Sequence, residues 1–180
     1  MSESGERERP AGRTMGHLES AERIVHHFQL TGLGHAFFEP LFELSDEALS
    51  RMGAQRRIAN EHPGFPCRIS LEDAPEGAEM LLLPFVHQPA ASPYHASGPI
   101  FVRRGVKQRV LGVGELPAYV TRRLMSVRAY DAAHMIVDAA VCEGGAVRAE
   151  IERMFDNAQV AYLHLHNAKR GCYSCRVDRA

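Results

Sequence analysis

The chain has no surplus of positive charge. Its 21 lysines and arginines stand against 22 acidic residues, a net charge of −1 at pH 7. That balance argues against bulk nucleic-acid binding, which draws on a basic excess. Cysteine is scarce: four in 180 residues do not make a disulfide framework. No N-terminal apolar run resembles a signal peptide, and no stretch approaches the length of a membrane span. There is no internal repeat and no low-complexity core segment. These absences lead to the expectation of a soluble cytoplasmic protein with reduced thiols and no nucleic-acid or membrane partner. What is present, 45% hydrophobic and 24% charged residues, fits one globular domain with a real core. The ten histidines are scattered, and nothing in the chain specifies an oligomeric state.

The first stretch is polar, with a Glu-Arg-Glu-Arg run and a Pro-Ala-Gly step. Residues 1–20 are therefore expected to be a disordered leader before a single α+β domain over 21–180, with Met15 as a candidate alternative start. A first strand is expected over about 23–30, where His26 and His27 diverge to opposite faces. Phe37, Phe38, Leu41 and Phe42 have the spacing of a short core stripe, cut short by Pro40. Ser45 followed by Asp46 and Glu47 predicts a helix start. Residues 55–62 read as a polar connection with Arg56 and Arg57 on a solvated face. Strands are expected at 67–71, at 80–86 (apolar on both faces, hence central) and at 100–103. Pro117 predicts a helix to about Leu124, and residues 127–130 and 135–141 predict a hairpin. A helix then carries Val147, Ile151, Met154 and Phe155 on its buried side. The expected fold is α+β, a mostly antiparallel sheet of about six or seven strands with three or four short helices on one face.

Residues 161–178 organise this picture. Two alternating runs are joined by a five-residue link ending in Gly171, which predicts a hairpin. With His166 opposite Cys172, the core face holds Ala161, Leu163, Leu165, Tyr173, Cys175 and Val177. The polar face holds Tyr162, His164, His166, Cys172, Ser174 and Arg176. A slip of two residues would keep this partition, whereas a slip of one would destroy it. Cys172 and Cys175 spell C-x-x-C, but residues three apart on a strand point opposite ways, so a shared zinc or redox site is not expected.

Two places gather polar groups. One is the hairpin's polar face; the other is a stiff Pro/Ser-rich loop over 90–99 that follows the central strand. The first functional expectation is the binding of a small polar or anionic ligand. Arg128, Arg170 and Arg176 would act as forked donors, with His87, Gln88, Tyr94, Ser97, Tyr130, His166 and Asn167 as further contacts. An alternative is an enzyme in which Cys172 is a nucleophile activated by His166, although no cysteine-hydrolase signature is present. No cofactor or metal is expected. His164, His166 and Cys172 could share an ion, since His-x-His sets two imidazoles about 7 Å apart on one face, but no neighbouring carboxylate completes a shell. The last alternative is a protein-interaction domain.

Several separate motifs carry a resemblance. They are Gly64-Phe65-Pro66-Cys67-Arg68, Leu81-Leu82-Leu83-Pro84-Phe85, His87-Gln88-Pro89, Ser97-Gly98-Pro99-Ile100-Phe101-Val102, Arg128-Ala129-Tyr130-Asp131 and His166-Asn167-Ala168 onward to Arg179. Over roughly residues 30–179 the chain resembles the bacterial family labelled domain of unknown function 1203. The resemblance implies a single bacterial domain and brings no activity, cofactor or catalytic residue with it.

Overall fold

A computed structural model describes residues 27–180. The expected leader and the first half of the expected first strand, with His26, lie outside the described residues.

Among the described residues ten strands form two five-stranded sheets, and both are antiparallel except for one pairing. The first sheet runs β1 (Phe28–Thr31), β10 (Tyr173–Arg179), β9 (Tyr162–Asn167), β7 (Leu124–Tyr130), β8 (Ile136–Glu143). The second runs β2 (Gln55–Ile58), β5 (Glu79–Gln88), β6 (Ala96–Arg103), β3 (Pro66–Cys67), β4 (Glu72–Asp73), with β3 parallel to β6. The helices are α1 (Asp46–Arg51), α2 (Ala118–Thr121) and α3 (Val147–Phe155), with short 3₁₀ turns at His35–Phe37, Glu39–Glu43 and Gly144–Ala146. The α+β class expected from sequence is borne out. The strand number is higher than expected because the strands divide into two layers.

The local signals explain most elements. Ser45 caps α1, its hydroxyl accepting from the Ala48 N–H at 3.2 Å. Pro117 stands immediately before α2. In α3 the buried residues include Val147, Ile151, Met154 and Phe155, the predicted stripe. They pack with Leu163, Leu165, Cys175 and Val177 of the β9–β10 hairpin to form one core. A second core lies on the other sheet, where Phe38, Phe42 and Leu49 cover Met80, Leu81, Ile100 and Val102.

Three expectations need correction. Residues 55–58 are not a solvated connection but the edge strand β2, paired to β5. Their polarity is accommodated because Arg56 pairs with both Asp46 and Glu79. The strand expected at 67–71 stops at Cys67 and turns back, with Leu71 buried at a positive φ of 54°. Strand β6 starts at Ala96, so Ser97 is an exposed strand residue opposite Val86 rather than a loop group.

Candidate functional site

The hairpin bends where alternation alone says it should not. Opposite Leu165 the register shifts between Tyr173 and Cys175, leaving a bulge at Ser174. Beyond it the pairing is Cys175↔Leu165 and Val177↔Leu163, offset by two residues from the expected register, so those four residues keep their shared apolar face. Three assignments are overturned. Ser174 turns into the first core, hydrogen-bonded to the Tyr119 hydroxyl. Tyr173 turns to the opposite face and joins the second core. Ala161 is also exposed rather than buried, as it precedes β9.

The expected polar face is polar but not wet. Tyr162, His164 and His166 are only 3%, 3% and 1% exposed, because the second sheet lies across them. The covering strand is β5, whose end brings His87 onto the hairpin. One nitrogen from each of His87, His164 and His166 lies within 4.8 Å of the others. Tyr173 forms a wall of this cluster. Its ring stacks on His87 at 5.1 Å and 4°, and meets His164 and His166 edge-on at 5.2 and 5.7 Å. On the other side Tyr130 leans on His164 at 4.9 Å and stacks on Tyr162 at 5.1 Å.

Each of the three rings has a buried nitrogen with no hydrogen-bond partner: Nδ1 of His87, Nδ1 of His164 and Nε2 of His166. Such an atom costs about 1–3 kcal/mol, and native interiors contain few of them. For His166 the tautomer follows from its surroundings. Nδ1 lies 3.0 Å from the Gly171 carbonyl oxygen, which can only accept, so Nδ1 carries the proton and neutral Nε2 presents a lone pair. Gly171 takes a positive φ of 74°, the conformation expected of it, and this closes the turn that supplies the carbonyl. Burial and the neighbouring cations favour the uncharged rings: it holds His164 down at about 3 and His166 at about 4, and lowers His87 as well. Arg128 contributes to all three depressions.

A cleft of about 400 Å³ opens beside the cluster, lined by His87, His164, Tyr173, Gln88, Tyr162 and Arg176 among others. At its rim the Tyr162 hydroxyl accepts from Gln88 Nε2 at 2.7 Å and lies 3.0 Å from His134 Nδ1. Arg176 stacks over the Tyr162 ring at 4.0 Å while pairing with Asp178. The β5–β6 loop reaches the same region: Ser92 bonds the His134 carbonyl at 3.3 Å, and Tyr94 meets Tyr130 edge-on at 6.4 Å.

The sequence candidates thus divide. His87, Gln88, Tyr94, Tyr130, His166 and Arg176 converge around the histidine cluster, with Arg128 close by. Asn167, Arg170 and Cys172 line a separate cleft, and Ser97 lines neither. Cys172 lies in the turn before β10, its sulfur 3.9 Å from the Arg170 carbonyl, and it is not in the three-nitrogen cluster. His166 Nδ1 is committed to Gly171 rather than to that thiol. Cys175 is buried in the core with its thiol pushed up to about 12, and all four cysteines are free. Sequence reasoning missed that the third imidazole beside His164 and His166 comes from His87. It also missed His134, which sits at a positive φ of 63° in the β7–β8 turn. The available signal was that His87 follows the apolar run 80–86 of β5, where a polar residue enters a buried layer.

No match was found among curated proteins or among solved structures. The family described as Protein of unknown function (DUF1203) matches residues 64–179, a span that contains all three clustered histidines and Tyr173. Covering well over half of the chain, the match shows that this protein belongs to the DUF1203 family.

Proposed function

We propose that His87, His164 and His166 bind one borderline first-row divalent cation, zinc by preference, which together with nearby arginine holds a small anion. The observation that carries this reading is the convergence of three neutral imidazoles from two sheets, each with an unpartnered buried nitrogen. Metal coordination would satisfy such atoms and uses neutral imidazole. The His166–Gly171 bond is the outer-shell contact that commonly orients a liganding histidine. Three nitrogens around zinc sit about 3.4 Å apart, so closing from 4.8 Å asks less than about 1 Å of each ring. A donor set of imidazoles alone disfavours magnesium and calcium, which take oxygen ligands.

The charge balance supports the anionic ligand. No carboxylate belongs to the cluster, and Arg128 and Arg176 lie near enough to depress His164. A dication there adds positive charge that a fourth ligand must offset. Hydroxide, a carboxylate or a phosphate would do so, and three-histidine zinc sites leave that position open. The cleft beside His87 and His164 gives the ligand its approach. A soluble cytoplasmic setting is part of the same reading.

The test is metal analysis of protein purified without a histidine tag, followed by chelation and titration with Co²⁺. We expect one ion per chain, visible absorption bands of a four-coordinate site, and loss of both in His87→Ala, His164→Ala and His166→Ala. Cys172→Ala should leave them intact. No stoichiometric metal and no Co²⁺ bands would remove the proposal. Loss in Cys172→Ala but not in His87→Ala would replace it with the cysteine-containing ligand set.

A further inference from the structure

On another side of the β9–β10 turn lies a larger cleft of about 810 Å³, which the histidine reading does not use. Its lining combines apolar walls with clustered cations. The walls are apolar: Phe65 and Phe101 pack at 5.1 Å, beside Leu82 and Leu124. Five cations, Arg68, Arg122, Arg123, Lys169 and Arg170, line it against two acids, Glu61 and Glu143.

Most of that charge is uncommitted. Arg123 is neutralised by buried Asp73. Arg122, Lys169 and Arg170 form no ion pair among the described residues. Arg68 is the unusual member, only 2% exposed and without a carboxylate partner. Its guanidinium is held by backbone oxygens alone: Nε donates to Tyr173 O at 2.8 Å, and another N–H donates to Pro66 O. Burying a guanidinium without a counter-ion costs several kcal/mol, and carbonyl dipoles offset only part of that. Asn167 lines the same cleft, and its buried Oδ1 has no partner. A cation and an acceptor are therefore both incompletely matched in one concave, largely apolar site of ligand-binding size.

We infer that this second cleft binds an organic oxyanion with an apolar or aromatic body. The body lies against Phe65, Phe101 and Leu82, and the anionic head is taken by Arg68 with the basic turn residues Lys169 and Arg170. Guanidinium favours carboxylate, phosphate and sulfonate heads alike, because its planar N–H fork matches two oxygens. The site is distinct from the histidine cluster and does not depend on it.

The test uses a matched pair of probes on the full chain. 8-Anilinonaphthalene-1-sulfonate carries the anionic head, and N-phenyl-1-naphthylamine is the same body without it. Fluorescence titration should show the sulfonate binding at least about tenfold more tightly, the worth of one good charge-assisted contact. Rising salt should weaken only the sulfonate, and a naphthoate should compete where inorganic phosphate competes less well. Because Arg68→Met could disturb folding through Tyr173 and Pro66, the decisive variant is the exposed pair Lys169→Glu/Arg170→Glu, with thermal unfolding checked in parallel. It should abolish the advantage of the sulfonate and leave one bound metal per chain. Equal affinity for the two probes overturns the inference. So does an undiminished sulfonate advantage in the folded double variant.

Discussion

The two faces of β9 are equally dry and chemically opposite. Leu163 and Leu165 point toward α3 and are fully buried. Tyr162, His164 and His166 point toward β5 and are buried almost as completely. A helix covers the first face, and the apolar alternation of β9 announces it. Another sheet covers the second, and nothing in β9 announces that, because the residues there are polar. Face polarity thus reports which chemistry a layer holds, while burial is decided by what the rest of the chain lays across it. Where the covering strand supplies partners, polar groups are satisfied, as Gln88 satisfies Tyr162. Where it supplies only another imidazole, nitrogens are left orphaned, and those atoms mark the candidate site.

The sharpest way to separate the faces is acid. His164 and His166 are held at about 3 and about 4 in the fold, against 6.5 for the free side chain. Above pH 6.5 both are neutral in the folded and unfolded chains, and the full stability is present. As pH falls below 6.5 the unfolded chain takes up protons that the fold refuses, so stability is lost down to the folded values. Each ring contributes a slope of up to about 1.4 kcal/mol per pH unit, a total of several kcal/mol for the pair. Urea midpoints of chelator-treated protein at pH 7, 6 and 5 should fall accordingly, and the His164→Leu/His166→Leu variant should lose most of that slope. An unchanged slope would mean that water reaches the polar face.

Next in size is a pair of truncations on adjacent positions. Leu165→Ala should cost about 2–5 kcal/mol, since it opens a cavity against α3. The loss should be the same with or without zinc. His164→Ala should cost less in chelated protein, because it removes an orphaned atom and a ring that its neighbours already disfavour as a cation. It should also abolish the zinc-dependent rise in thermal midpoint that mass action predicts for wild type if the three histidines bind the ion. If both variants responded to zinc alike, the histidine face would be structural only.

How much of this was legible depends on the range of the cause. Ser45, Pro117 and the α3 stripe act within one or two turns, and they were readable. The apolar face of the hairpin survived a register error because the slip was even. The bulge at Ser174 was not readable, since it answers to a partner 55 positions away, the Tyr119 hydroxyl. Strand β2 was hidden for a similar reason: Arg56 is tolerable in a strand only because Glu79 and Asp46 stand beside it. The site was half legible. His164 and His166 share a face by alternation, whereas His87 reaches them only through the stacking of two sheets, which no local pattern encodes.

Ser174 tests the bulge itself. Its hydroxyl and that of Tyr119 satisfy each other inside the apolar core, so Ser174→Ala strands a buried phenol. A loss of about 1–3 kcal/mol in chemical denaturation is expected. A near-zero loss would mean that Tyr119 finds another acceptor and that the bulge is held by Tyr173 alone.

The smallest effect belongs at the edge of the polar face, where the comparison between dry and wet is finest. Tyr162 has a buried ring, but its hydroxyl serves Gln88 and His134 beside the open cleft. Tyr162→Phe keeps the stack on Tyr130 and the Arg176 contact, because both use the ring. It removes only the oxygen. If water in the cleft can reach Gln88 Nε2 and His134 Nδ1, it replaces that oxygen and the loss is about 1 kcal/mol or less. A loss approaching 3 kcal/mol would show that the rim is as dry as the centre. The cleft would then stop short of the histidines, and the route by which an anion approaches them would have to lie elsewhere.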